Sequence, residues 1–167
     1  CLDSHTERNA KIAGKLALEP GEDLAWFSDR ATIEIELVDK NILLGIDESI
    51  VFRDFGIGMS PDRVKSVFTV FGNSTKRSSN LQIGGFGVGG KTPFSYTNTF
   101  YVSTNFNGMK YYYILFRGNG TINMNKVHEA PTEEKNMTEI IVPLKDYSDK
   151  HSFTKAMEKQ LQYIQNV

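Results

Sequence analysis

The stretch TFYVSTNF-NG-MKYYYILF, residues 99 to 116, constrains the fold more than any other part of the chain. Two runs of β-branched and aromatic residues flank Asn107-Gly108, a pair that tolerates positive φ and so suits the two-residue turn whose twist matches paired strands. An antiparallel hairpin is predicted there. Other strand patterns surround it. ATIEIELV, 31 to 38, alternates Ile33, Ile35 and Leu37 with charged neighbours, and ILLGI (42 to 46) and SIVFRDF (49 to 55) read as two more strands of a meander. GTINMNKVHEA and MTEIIVPL add a strand each.

Three helical patterns accompany the strands. Residues 1 to 18 are rich in Ala, Lys, Glu and Leu, weaken at Gly14 and end at EPGED. In MSPDRVKSVFTVF, Ser60 is a predicted N-cap with Pro61 at the first helical position and Asp62 in the first turn, and Val64, Val67, Phe68 and Phe71 share one face. HSFTKAMEKQLQYIQ reads as a closing amphipathic helix with Phe153, Met157, Leu161 and Ile164 inward. Helices and strands in this order predict an α+β sandwich, a mixed, mostly antiparallel sheet with helices on one face, rather than a doubly wound parallel sheet.

The 167 residues fit one domain. A formal net charge of −1 supplies no general field for nucleic acid, and no run of apolar residues is long enough to span a bilayer. The single cysteine, Cys1, excludes an internal disulfide framework and a cysteine-based zinc cluster and fits a reducing compartment, so a cytoplasmic location is expected. His5, His128 and His151 are scattered without the spacing of a metal site or a nucleophilic triad.

Function is written most densely in GGFGVGGKTPFSYT, residues 84 to 97. From Gly85 to Thr92 it satisfies the G-x-x-x-x-G-K-T phosphate loop, and Gly85, Gly87 and Gly90 satisfy G-x-G-x-x-G. Both patterns require a buried strand immediately upstream. The preceding KRSSNLQIG has only Leu81 and Ile83 apolar, so both readings fail on context. A second glycine pattern lies upstream: RDFGIGMS spaces Asp54, Gly56 and Gly58 as D-x-G-x-G. A carboxylate at a strand end can accept the hydrogen bond of an adenine amino group, and glycines beside it let backbone approach a flat base. In NMTEI, Thr138 opens a strand where its hydroxyl can support that carboxylate or a bridging water. Taken singly, Asp54 suits a plain turn equally well, Thr138 an ordinary strand start, and Lys76 and Arg77 a solvated loop.

Together, DFGIGMS, IGGFGVGG and NMTEI resemble, in order, the first glycine box, the second glycine box and the Thr box of the GHKL ATPases. The second box is similar to the heat-shock chaperone's version, and GGFGVGGKTPFSYT with its Tyr/Thr-rich hairpin is most similar to the phage rII lysis-inhibition protein A group. The resemblance covers about residues 1 to 145 and implies a single ATP-binding domain over 1–167 with the Bergerat sandwich fold. It also implies ATP and Mg2+ as ligands. Asp54 would bind adenine N6, with Gly56, Gly58 and Met59 lining the base pocket. Gly84, Gly85, Phe86, Gly87, Val88, Gly89 and Gly90 would form the phosphate loop, with Lys91 an extra cation nearby and Thr138 the support. Residues 72 to 83 would be an ATP lid, with Ser74, Thr75 and Lys76 closing over the γ-phosphate. Asp3 fits the last position of the family's E-x-x-x-N-x-x-D helix. Its metal-binding Asn and general-base Glu then fall before Cys1, as in a domain truncated at its N-terminus, and a chain without them is expected to hydrolyse ATP slower by about 10² to 10⁴-fold.

Two functional expectations follow from the resemblance. One is a magnesium-dependent ATPase whose lid closure alters contacts with a protein partner or a second protomer; the other is a scaffold that senses nucleotide without hydrolysing it. A histidine kinase is disfavoured by the lack of a phosphoacceptor helix. No nucleic-acid partner is indicated, and the phage resemblance implies the host cytoplasm, with contact at a membrane surface as an option.

Overall fold

The computed structural model describes residues 2–30, 32–40, 47–69 and 89–161. Among them, six strands form one open sheet: β1 (Ile33–Val38), β2 (Ser49–Asp54), β3 (Thr99–Phe106), β4 (Met109–Gly118), β5 (Thr121–Pro131) and β6 (Met137–Pro143). Their order is β1-β2-β6-β3-β4-β5. Every pairing is antiparallel, so the mixed character expected of the sheet is absent from the described strands. The class is α+β.

The hairpin forms where Asn107-Gly108 demands it. Phe106 pairs with Met109, and Asn107 and Gly108 have φ of 48° and 79°, the left-handed pair of a type I′ turn. Asn119 and Gly120, φ 50° and 75°, repeat the device between β4 and β5. On β5 the register shifts at Tyr112/Tyr113, so that Val127, 61% exposed, is the extra residue of a bulge on this edge strand.

Helix α1 (Leu2–Ile12) is shorter than its composition predicts. Gly14, at φ 68°, lets Lys15 N–H reach Ala10 C=O at 2.9 Å while Gly14 N–H reaches Lys11 C=O at 3.0 Å. This is a Schellman termination, and it outweighs the helix-forming residues that follow. Helix α2 (Pro61–Thr69) starts as its sequence dictates: Ser60 C=O accepts from Val64 N–H at 2.9 Å, and Ser60 Oγ accepts from Arg63 N–H at 3.3 Å. Helix α3 is Tyr147–Leu161.

Strand alternation puts Ile50, Val142, Phe100, Val102, Tyr113 and Leu115 on one sheet face, and α2, α3 and the 3₁₀ segment Gly89–Ser95 cover it. Phe100 is wholly buried; the Phe68 and Phe94 rings meet it edge-on at 6.0 and 4.8 Å between centroids. Burying such a ring contributes about 1.5 to 3 kcal/mol. Phe153 and Met157 of α3 pack at the margin of this core, and Tyr96 Oη donates to Asp149 Oδ2 at 2.5 Å, holding α3 down. The opposite sheet face carries the stacked pair Tyr101–Tyr112 and Arg53 bridging Glu34, Glu36 and Glu139. The predicted strand 42 to 46 lies outside the described residues, as do Phe71 and Ile164.

Candidate functional site

Asp54 ends β2, directly opposite Thr138 of β6, which is directly opposite Thr104 of β3. Direct partners across antiparallel strands share a face with Cβ atoms about 4.5 to 5.5 Å apart, so the three side chains stand in one row. All three are buried, Asp54 4%, Thr138 2% and Thr104 0% exposed. A polar group taken from water costs free energy unless it is partnered, so a buried row of this kind needs its hydrogen bonds accounted for.

The partners come from the turn that leaves β2. Asp54 Oδ1 accepts from Gly56 N–H at 3.1 Å, Ser4 Oγ from Ile57 N–H at 3.3 Å and Thr104 Oγ1 from Met59 N–H at 2.9 Å. His5 Nε2 accepts from Phe55 N–H at 3.2 Å. An imidazole accepting at Nε2 is neutral and carries its proton on Nδ1. Asn136 Nδ2 donates to Ile57 C=O at 2.9 Å, and Arg8 donates to Phe55 C=O at 2.8 Å and to Arg30 C=O. Four amides of the turn therefore end on side chains, three of those side chains belong to other elements, and the turn is held rigidly against α1 and the sheet. Burial keeps the Arg8 guanidinium below its ordinary pKa, against the opposing pull of the Asp29 and Asp54 carboxylates.

The glycines are required by contact. A Cβ on Gly56 would lie 1.8 Å from Ser4 Oγ and 2.9 Å from Asp54 Oδ1. Gly58 has φ 69°, and its Cβ would lie 2.2 Å from Asn105 C=O. The space a side chain would take at each glycine is thus filled by Ser4 and by the Asn105 carbonyl.

A network of buried charge braces α1 against α2. Glu7 joins Arg63 at 2.7 Å and Lys11 at 3.0 Å, and Lys11 joins Glu22 at 2.5 Å. Burial works to raise the Glu7 pKa, and Arg63 and Lys11 together overcome it, leaving the carboxyl below its ordinary value.

No family model matches the chain, and no curated protein matches it. What the site can do therefore rests on its own geometry. Asp54, Gly56, Gly58, Met59 and Thr138 are brought together at one end of the β2-β6-β3 strands. An acceptor carboxylate and a neighbouring hydroxyl form an edge that can meet a ligand donor.

The second glycine stretch is described only from Gly89. Gly89 and Gly90 open a 3₁₀ segment with Pro93 inside it. A Cβ on Gly90 would lie 3.0 Å from Val67 Cγ1 and 3.1 Å from the Phe68 ring, so its bare backbone packs against the last turns of α2. Lys91 is 7% exposed, and its Nζ donates to Val67 C=O at 2.8 Å; burial lowers its pKa. Gly84, Gly85, Phe86, Gly87 and Val88 lie outside the described residues, as do Ser74, Thr75 and Lys76. Asp3 is in the first turn of α1, with its side chain outside them too. Among the described residues, no three His, Cys, Asp or Glu side chains gather as a metal site, and no helix is long and apolar enough to cross a membrane.

Sequence reading missed Ser4, His5, Arg8 and Thr104. Ser4 and Arg8 are one helical turn apart, a spacing that puts both on one face of α1. Thr104 was visible as a lone hydroxyl on the apolar side of β3, two residues beyond Val102.

Proposed function

We propose that this chain is an ATP-binding domain of the GHKL ATPase type, built as a Bergerat sandwich, with the Asp54 carboxylate as the reader of the adenine amino group. One observation carries the reading: a carboxylate 4% exposed at a strand end, beside a buried Thr138 and next to a Gly56 whose Cβ would lie 2.9 Å from its Oδ1. A buried carboxylate in such a place can be matched by a ligand donor. The sequence order of the three motifs adds to it. In this reading Gly87 to Gly90 supply phosphate-binding amides. Magnesium-dependent hydrolysis belongs to the same proposal.

Calorimetric titration of ATP and GTP into the wild type and Asp54→Asn tests the proposal. The Asn keeps an Oδ1 for Gly56 N–H, so the turn survives while the charge and one acceptor are lost. Saturable binding of ATP, weaker binding of GTP and loss of that preference in Asp54→Asn, with an unchanged circular dichroism spectrum, are the expected results. Equal binding of the two nucleotides, or an Asp54→Asn titration that superimposes on the wild type, overturns it. Phosphate release measured with and without magnesium on the same protein separates turnover from binding alone.

A further inference from the structure

We propose that Thr104 is a positioning residue of the same site, one that holds the Gly56–Met59 turn in place and leaves the Thr138 hydroxyl free to face a ligand as a donor; the second half rests on the nucleotide-binding reading above. A threonine hydroxyl has one proton to give and two lone pairs. Thr104 Oγ1 lies 2.9 Å from Met59 N, which can only donate, and 2.9 Å from Met137 C=O, which can only accept. The Met59 N–H therefore occupies one lone pair and the Met137 carbonyl takes the proton. A single lone pair remains toward Thr138 Oγ1, 3.4 Å away.

Thr104 consequently has nothing to donate to Thr138. The one proton of Thr138 points either at Thr104 or at an acceptor on a ligand, and the 3.4 Å contact on the Thr104 side is long for an O–H···O bond, so that proton is cheaply redirected. Asp54 accepts and Thr138 donates. The row then fits a ligand edge that presents a donor next to an acceptor, and it disfavours an edge with the two reversed. Complete burial of Thr104, 0% exposed, keeps water from substituting for any of these partners.

Thr104→Val removes the hydroxyl at nearly constant shape, and Thr104→Ser restores it. Two measurements on both variants and the wild type decide the matter. Amide hydrogen exchange at Met59, which needs no nucleotide, is expected to speed up about tenfold in Thr104→Val and to return close to the wild-type rate in Thr104→Ser, tenfold being the factor for loss of 1.4 kcal/mol. Calorimetric ATP affinity is expected to fall about tenfold in Thr104→Val and to recover in Thr104→Ser, with the preference for ATP over GTP narrowing in parallel. Unchanged Met59 exchange in Thr104→Val overturns the positioning role whatever the nucleotide data show. Faster exchange with unchanged ATP affinity and preference overturns the claim about Thr138. A wild type that binds no ATP removes the nucleotide-binding reading and the Thr138 claim with it, and the exchange data still decide whether Thr104 holds the turn.

Discussion

Two neighbouring rows of the same three strands make opposite use of burial. Phe52, Ile140 and Val102 face one another across β2, β6 and β3, and two residues along the same strands Asp54, Thr138 and Thr104 do the same. The first row belongs to the apolar core under the helices. The second is drier, Phe52 and Ile140 of the first being only partly buried, yet its side chains are polar, and its hydrogen bonds run to the turn at 55 to 59, to a strand carbonyl and between Thr104 and Thr138. Apolar contacts are non-directional and tolerate small shifts, whereas a buried hydroxyl or carboxylate must find a partner at a set distance and angle. The polar row therefore requires specific neighbours on α1, β3 and the turn. The apolar row asks only for volume.

Phe100→Ala, in the apolar part, empties the centre of the core between Phe68 and Phe94 and should destabilise the fold by about 3 to 5 kcal/mol in denaturant unfolding. At temperatures where it stays folded, its Met59 amide protection should be unaltered, because nothing in the polar row has lost a partner. Glu7→Gln, in the buried charge network that braces α1 against α2, should cost about 3 kcal/mol by removing the carboxylate that pairs with Arg63 and is shared with Lys11, which keeps Glu22.

The pH dependence has a definite sign. A carboxyl whose folded pKa is depressed contributes stability that is complete above its unfolded value, here the ordinary 4.5. That contribution is lost as pH falls through the lower folded value. Wild-type stability should thus drop on acidification below about 4.5, and the Glu7→Gln variant should show a shallower slope in the same range of urea melts.

Val102→Thr places an isosteric hydroxyl in the apolar row, where it is wholly buried between Ile140 and Tyr113, and should cost about 1 to 3 kcal/mol in the same measurement. A neutral result would mean that the apolar row tolerates polarity as well as its neighbour does, and the contrast between the rows would dissolve. Ser60→Ala, which removes the cap that starts α2, should cost about 1 kcal/mol and leave both rows intact.

Much of the frame was readable from local chemistry. Asn107-Gly108 dictates a I′ turn whatever surrounds it, Ser60-Pro61-Asp62 dictates a helix start, and the alternation of Ile33, Ile35 and Leu37 dictates a strand with one inward face. The D-x-G-x-G pattern likewise announced a carboxylate at a strand end. Helix α1 was read too long because residues 15 to 18 favour helix by composition; the left-handed Gly14 and its Schellman bonds decided otherwise.

What the sequence by itself determined about this protein is which segments are strands and helices, and which residues are chemically able to meet a ligand. What only the tertiary structure decided is that β6 lies between β2 and β3, and hence that Asp54, Thr138 and Thr104 form one row. That insertion joins strands far apart in the chain, and no local propensity encodes it: strand order is selected by burial of the whole apolar face and by the matching of hydrogen bonds across the sheet. A threonine on β3 becomes part of a site on β2 only once another strand has come between them.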